Sequence, residues 1–137
     1  MIVKYAVAYV ATGVAFALID SVWLRNAYDR LYQPEIGEVL MDGGFRLGPA
    51  VAFYLLYILG MMVFAVGPAL KSGQWQTALL WGALLGFFCY ATYDLTNHAT
   101  LKVWSLKVTV LDIIWGTFLP GSASAAGAAV TNAVFSR

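Results

Sequence analysis

Three aspartates, Asp20, Asp94 and Asp112, fall inside long apolar stretches of the chain. An acid at the centre of a membrane helix costs roughly 2.5–3.5 kcal/mol on insertion scales, so acids kept there line a pathway or a ligand site, or pair locally. Carboxylates can exchange protons or ions, or work as general acid and base. Nearby polar aromatic and amide side chains can orient a bound molecule: Trp23 beside Asp20, Tyr90, Tyr93 and Asn97 beside Asp94, and Trp115 beside Asp112. These eight residues are the candidate ligand-pocket set. The pair Asp20-x-x-Trp23 and Asp112-x-x-Trp115 share a spacing, which reads as coincidence, since oppositely directed helices would send the two indoles to different depths.

The elements that carry these residues follow from hydrophobic length. The chain has 137 residues, of which 61% are hydrophobic and 11% charged. A soluble domain has about 25% charged residues, and the deficit here excludes an ordinary aqueous surface. Four stretches approach the roughly 20 apolar residues needed to cross a bilayer: 2–24, 48–70, 77–100 and 108–135. The expected fold is all-α, a single membrane domain of four transmembrane helices. A short interfacial amphipathic segment between the first two is expected to break at Pro34, and Pro120 to kink the fourth. The run 2–24 exceeds a signal-peptide core and no small-residue cleavage site follows it, so it reads as a retained helix.

Alternating directions place all three aspartates toward one face, roughly 6–10 Å below its rim at 1.5 Å per residue, as one layer of carboxylates. Both termini are expected on the opposite side. Lys and Arg number five on the aspartate side (Arg25, Arg30, Arg46, Lys102, Lys107) and three on the other (Lys4, Lys71, Arg137), so the aspartate side leans cytoplasmic. Helical phase at 100° per residue gathers Thr12, Phe16, Asp20 and Trp23 on one face of the first helix. It gathers Gly82, Gly86, Tyr90, Tyr93, Asp94 and Asn97 on the third, and Asp112, Gly116, Pro120 and Gly127 on the fourth. Gly82, Gly86 and Gly116 are candidates for close helix packing. Trp81, Leu84, Leu85, Phe87, Phe88 and Leu95 form the lipid-facing arc.

Two readings compete for the acids. In one they are rim anchors paired locally: Asp20 with Arg25, Asp112 with Lys102 or Lys107, Asp94 with Asn97 or Tyr90. In the other they line a pocket for an amphipathic, lipid-like ligand. A proton- or ion-coupled transporter, an accessory subunit of a larger membrane complex and a homo-oligomer are the alternative classes. His98 lies four residues beyond Asp94, but one histidine without further nitrogen or thiolate ligands makes a poor metal site. No metal and no cofactor is expected, and a net charge of +1 suggests no nucleic acid. No phosphate-binding glycine loop, catalytic Ser–His–Asp order or cysteine pair is present.

The segment from Tyr93-Asp94-Leu95-Thr96-Asn97-His98 through Trp104 to Asp112-Ile113-Ile114-Trp115-Gly116-Thr117 resembles a bacterial membrane-protein family, domain-of-unknown-function family 2177. Asp20-Ser21-Val22-Trp23 and Phe53-Tyr54-Leu55-Leu56-Tyr57 match its pattern too, so the resemblance spans nearly the whole chain. It implies four spans in a bacterial inner membrane and singles out Asp20, Trp23, Tyr93, Asp94, Asn97, Asp112 and Trp115. A leucine-like residue is usual at the position of His98. The resemblance implies no particular activity.

Overall fold

The computed structural model describes residues 1–136. The regular structure of the described residues is all helical, in the order α1 (Ile2–Ala27), a π turn (Tyr28–Tyr32), α2 (Gln33–Ile36), a 3-10 turn (Gly37–Val39), α3 (Leu47–Met61), a second π turn (Met62–Val66), α4 (Gly67–Ser72), α5 (Trp75–Thr100) and α6 (Leu106–Phe135). Continuous helical stretches Ile2–Val39, Leu47–Ser72, Trp75–Thr100 and Leu106–Phe135 are each long and apolar enough to cross a membrane. The side chains expected to face lipid are exposed on α5, among them Trp81, Phe87, Phe88 and Leu95. Leu85 is the exception and packs inward on Phe16, Met61, Leu119 and Ala123.

Pro34 does not break the first helix. Proline lacks an N–H and its ring collides with the carbonyl four residues back. The widened turn before it removes that collision, with the Gln33 N–H donating to the Tyr28 carbonyl, five residues back. The same device recurs before Pro68, where the Gly67 N–H donates to the Met62 carbonyl. The first helical run therefore reaches Val39, well past the expected end at Leu24. α6 runs from Leu106 to Phe135 with Pro120 inside it.

The core is stacked in three layers. Ala8, Val66, Leu70, Ala78 and Ala128 form one end. Phe16, Met61, Leu119 and Ala123 fill the middle. Ala27, Leu31, Ile36 and Val108 form the other end, under Trp23, Tyr32, Leu40 and Trp104. Between α4 and α5 the chain reverses at Gly73, whose φ of 74° is a left-handed conformation that favours glycine. The short turn from α5 to α6 is fixed by Ser105, whose Oγ accepts the Val108 N–H. Thr109 Oγ1 accepts from Trp104 Nε1 at 3.1 Å and lies 3.3 Å from His98 Nδ1. His98 thus clasps the start of α6.

The tightest crossing is α5 on α6. A Cβ at Gly82 would stand 2.7 Å from the Pro120 carbonyl and 2.9 Å from Ser124 Oγ. At Gly86 it would collide with the Gly116 carbonyl oxygen and the Pro120 ring, and at Gly116 it would enter the Tyr90 ring. Pro120 cannot donate to the Gly116 carbonyl four residues back, so that oxygen is left without its helical partner. The hydrogen of Gly86 that occupies the Cβ position points at it, a Cα–H···O contact worth about 0.5–1 kcal/mol. The proline thus leaves an acceptor that the glycine approach then uses. On the other flank, Gly127 of α6 admits Thr12 of α1, whose Oγ1 would meet any Cβ there.

Candidate functional site

α1 and α6 run antiparallel and each carries Asp-x-x-Trp. The two motifs meet head to tail, so each aspartate lies by the tryptophan of the other helix. Trp115 Nε1 donates to Asp20 Oδ1 at 3.3 Å. Trp23 Nε1 donates to Tyr32 Oη at 2.9 Å, and Tyr32 in turn donates to Asp112 Oδ1 at 2.5 Å. Between these two links the indole rings of Trp23 and Trp115 stack, with centroids 4.6 Å apart and planes 7° apart. The shared spacing is therefore structural. The expectation that the indoles point to different depths fails, because the two rings lie one on the other.

The partners of the acids are aromatic donors, in place of the lysines and arginines of the anchoring scheme. Asp20 also accepts from Tyr54 of α3 through Oδ2, at 2.5 Å. Tyr54 is seated against Phe16, edge to face, at 5.1 Å. Asp94 is completely buried, and neither of its oxygens has a hydrogen-bond donor. Its carboxyl adjoins that of Asp112. Burial of an unpaired polar group is costly, and buried groups without partners are the exceptions that call for a functional or structural reason.

Above this network lies a cavity of about 530 Å³, within the roughly 300–1,000 Å³ range of small-molecule sites. Six of the eight candidates line it: Asp20, Trp23, Tyr90, Tyr93, Asp112 and Trp115. Asp94 and Asn97 do not. Asp94 lies behind the wall against Asp112, and the Asn97 carbonyl accepts the Leu101 N–H where α5 ends. The loop after the 3-10 turn supplies Met41, Gly44 and Phe45 as a roof. Among the described residues, no lysine, arginine or histidine lines the cavity.

Two apolar grooves adjoin the cavity, one on each side of α3. The groove toward α5 is about 380 Å³ and is lined by Phe53, Tyr57, Cys89, Tyr90 and Tyr93. The groove toward α1 is about 550 Å³ and shares Asp20, Leu24 and Phe45 with the cavity. α3 thus stands partly away from its neighbours near the acids, held there by Tyr54 on Asp20 and by Tyr9 Oη donating to the Leu55 carbonyl at 2.9 Å.

Sequence reasoning missed Tyr32 and Tyr54 as site residues. Tyr32 is nine residues beyond Trp23, half a turn out of phase on a regular helix, and the π turn between them shifts that phase. Tyr54 lies in the Phe53–Tyr57 stretch that carried the family resemblance, but its span has no acid of its own to draw attention to it. A tyrosine in an uncharged apolar span, paired in depth with an acid of the preceding helix, is the available signal. No curated protein and no solved structure matches the chain. The family described as predicted membrane protein (DUF2177) matches residues 5–129, a stretch that begins in α1 and ends in α6 and holds every side chain of the network above, and the chain belongs to that family of multi-pass membrane proteins.

Proposed function

We propose that the chain is a bacterial inner-membrane protein that binds an amphipathic, lipid-like molecule, with the polar end in the carboxylate- and aromatic-lined cavity and the apolar end in the bilayer-facing grooves. The observation that carries this reading is the joining of a polar cavity to apolar grooves through shared walls, Tyr90 and Tyr93 on one side and Asp20 on the other. A water-soluble ligand would need no such exits, and an anchoring role would need no cavity. The excess of Lys and Arg on the loops beside the cavity favours a cytoplasmic opening, with both termini on the opposite side.

The test is native mass spectrometry of protein purified in mild detergent. Wild type should retain a near-stoichiometric lipid. Leu24→Trp, which fills the cavity from an exposed position on its wall, should elute normally and lose that lipid. A wild type free of lipid across several mild detergents, or equal retention by both proteins, would overturn the reading.

A further inference from the structure

We infer that the polar end of the ligand is a cation, an ammonium group, and that its alkyl chain lies in the groove between α3 and α5. This rests on the amphiphile site proposed above and assigns its chemistry. Asp20 and Asp112 present carboxylates to the cavity, and no cationic side chain among the described residues lines it. An anionic head would meet two carboxylates without a compensating donor charge. Aromatic rings, among them Trp23, Trp104, Trp115, Tyr90 and Tyr93, share the rest of the wall with aliphatic side chains such as Leu24 and Ile36. Carboxylates set among aromatic faces are the recurring recognition chemistry for ammonium groups, because ring quadrupoles attract a cation without needing a hydrogen bond from it.

The groove toward α5 is the better seat for the chain. Its walls are almost entirely apolar, and Tyr90 and Tyr93 form a continuous surface from it to the acids. It also contains a reporter, since Cys89 is the single cysteine of the chain, is exposed and lines this groove.

The probes are dodecyltrimethylammonium and dodecyl phosphate, which share a tail and differ in charge, together with tetramethylammonium, which is a head without a tail. They are titrated into protein held in dodecyl maltoside micelles. The readouts are tryptophan fluorescence and the rate of Cys89 alkylation by N-ethylmaleimide. Expected are a saturable fluorescence change with dodecyltrimethylammonium at least tenfold tighter than with the phosphate, and an affinity loss of at least tenfold in Asp20→Asn. Alkylation of Cys89 should slow severalfold with dodecyltrimethylammonium and not with tetramethylammonium. Should Asp20→Asn fail to fold, competition by tetramethylammonium against the long-chain cation in wild type replaces it, and absence of competition would count against the cation. Equal, saturable binding of both long-chain probes would overturn the ammonium assignment and leave the amphiphile site standing. Unchanged Cys89 reactivity under saturating cation would overturn the placement of the tail. Saturation by neither probe, with no co-purified lipid, would overturn both readings.

Discussion

The indole of Trp23 lies flat on that of Trp115, 4.6 Å away and within 7° of parallel, and each ring donates its N–H away from the stack, to opposite ends of the network. Two indoles this close couple electronically. The far-ultraviolet circular dichroism should contain an exciton couplet that disappears in Trp23→Phe and in Trp115→Phe. It should persist in Trp75→Phe, whose ring lies at the start of α5. A spectrum unaltered by either of the first two substitutions would mean that the stack is absent in solution.

Tyr32 connects the segment after α1 to α6 through a single hydroxyl. Hydrogen bonds to charged groups are worth about 1.5–3 kcal/mol, so Tyr32→Phe should lower stability by that amount. A double-mutant cycle with Asp112→Ala in detergent-mixture unfolding should return a coupling energy of similar size. Additive single effects would show that the two side chains do not interact.

Gly86 and Gly60 offer a matched pair. A Cβ at Gly86 meets the Gly116 carbonyl and the Pro120 ring, whereas at Gly60 it meets nothing within 4 Å. Gly86→Ala should cost about 1–3 kcal/mol through overpacking, and Gly86→Leu should reduce folding yield. Gly60→Ala should be neutral, or stabilising by up to about 1 kcal/mol through helix propensity. Thermal melts of the purified variants decide this, and equal melting points would exclude a close α5–α6 crossing at Gly86.

Asp94→Asn replaces a carboxyl that has no donor with an amide that can donate to the adjoining Asp112. The expected result is wild-type expression and helicity, a higher melting temperature, and altered bound-lipid content. Asp29→Asn, an exposed acid of the first π turn, should match wild type in all three. Identical lipid profiles for wild type and both variants would leave Asp94 as a purely structural residue.

Hydrophobic length made the four spans legible, because nothing but a run of apolar residues can satisfy the bilayer. Phase within a regular helix was equally readable: it put Gly82 and Gly86 on the arc that meets α6, and Asp94 on the buried side of α5. Three features were hidden. The π turns alter phase, and the charges around Tyr32 (Asp29, Arg30 and Glu35) read as an interfacial segment rather than a continuing helix. The meeting of Trp23 with Trp115 depends on the axial offset between α1 and α6, to which the fit of Thr12 to Gly127 contributes, and no single helix encodes an offset. Asp94 shares its face with Tyr90 and Tyr93, but phase cannot distinguish a side chain that lines a cavity from one sealed behind its wall.

The two π turns, each followed at its second residue by a proline, give the chain a tolerance for length change that a membrane helix otherwise lacks. Removing one residue from a regular span rotates everything beyond it by about 100° and exchanges lipid-facing with core-facing side chains. A π turn holds one residue more than an α turn, so a single deletion within 28–32 or 62–66 can be absorbed where it occurs by tightening the turn, at the cost of bringing the proline ring back toward the carbonyl four residues before it. Deleting Val63, an exposed residue of the second turn, should leave a protein that still inserts and elutes as wild type, with a lower melting temperature from the Pro68 ring. Deleting Leu56, exposed but within regular α3, should not, because the register of Tyr54 on Asp20 would have to be lost for the rest of the span to keep its own.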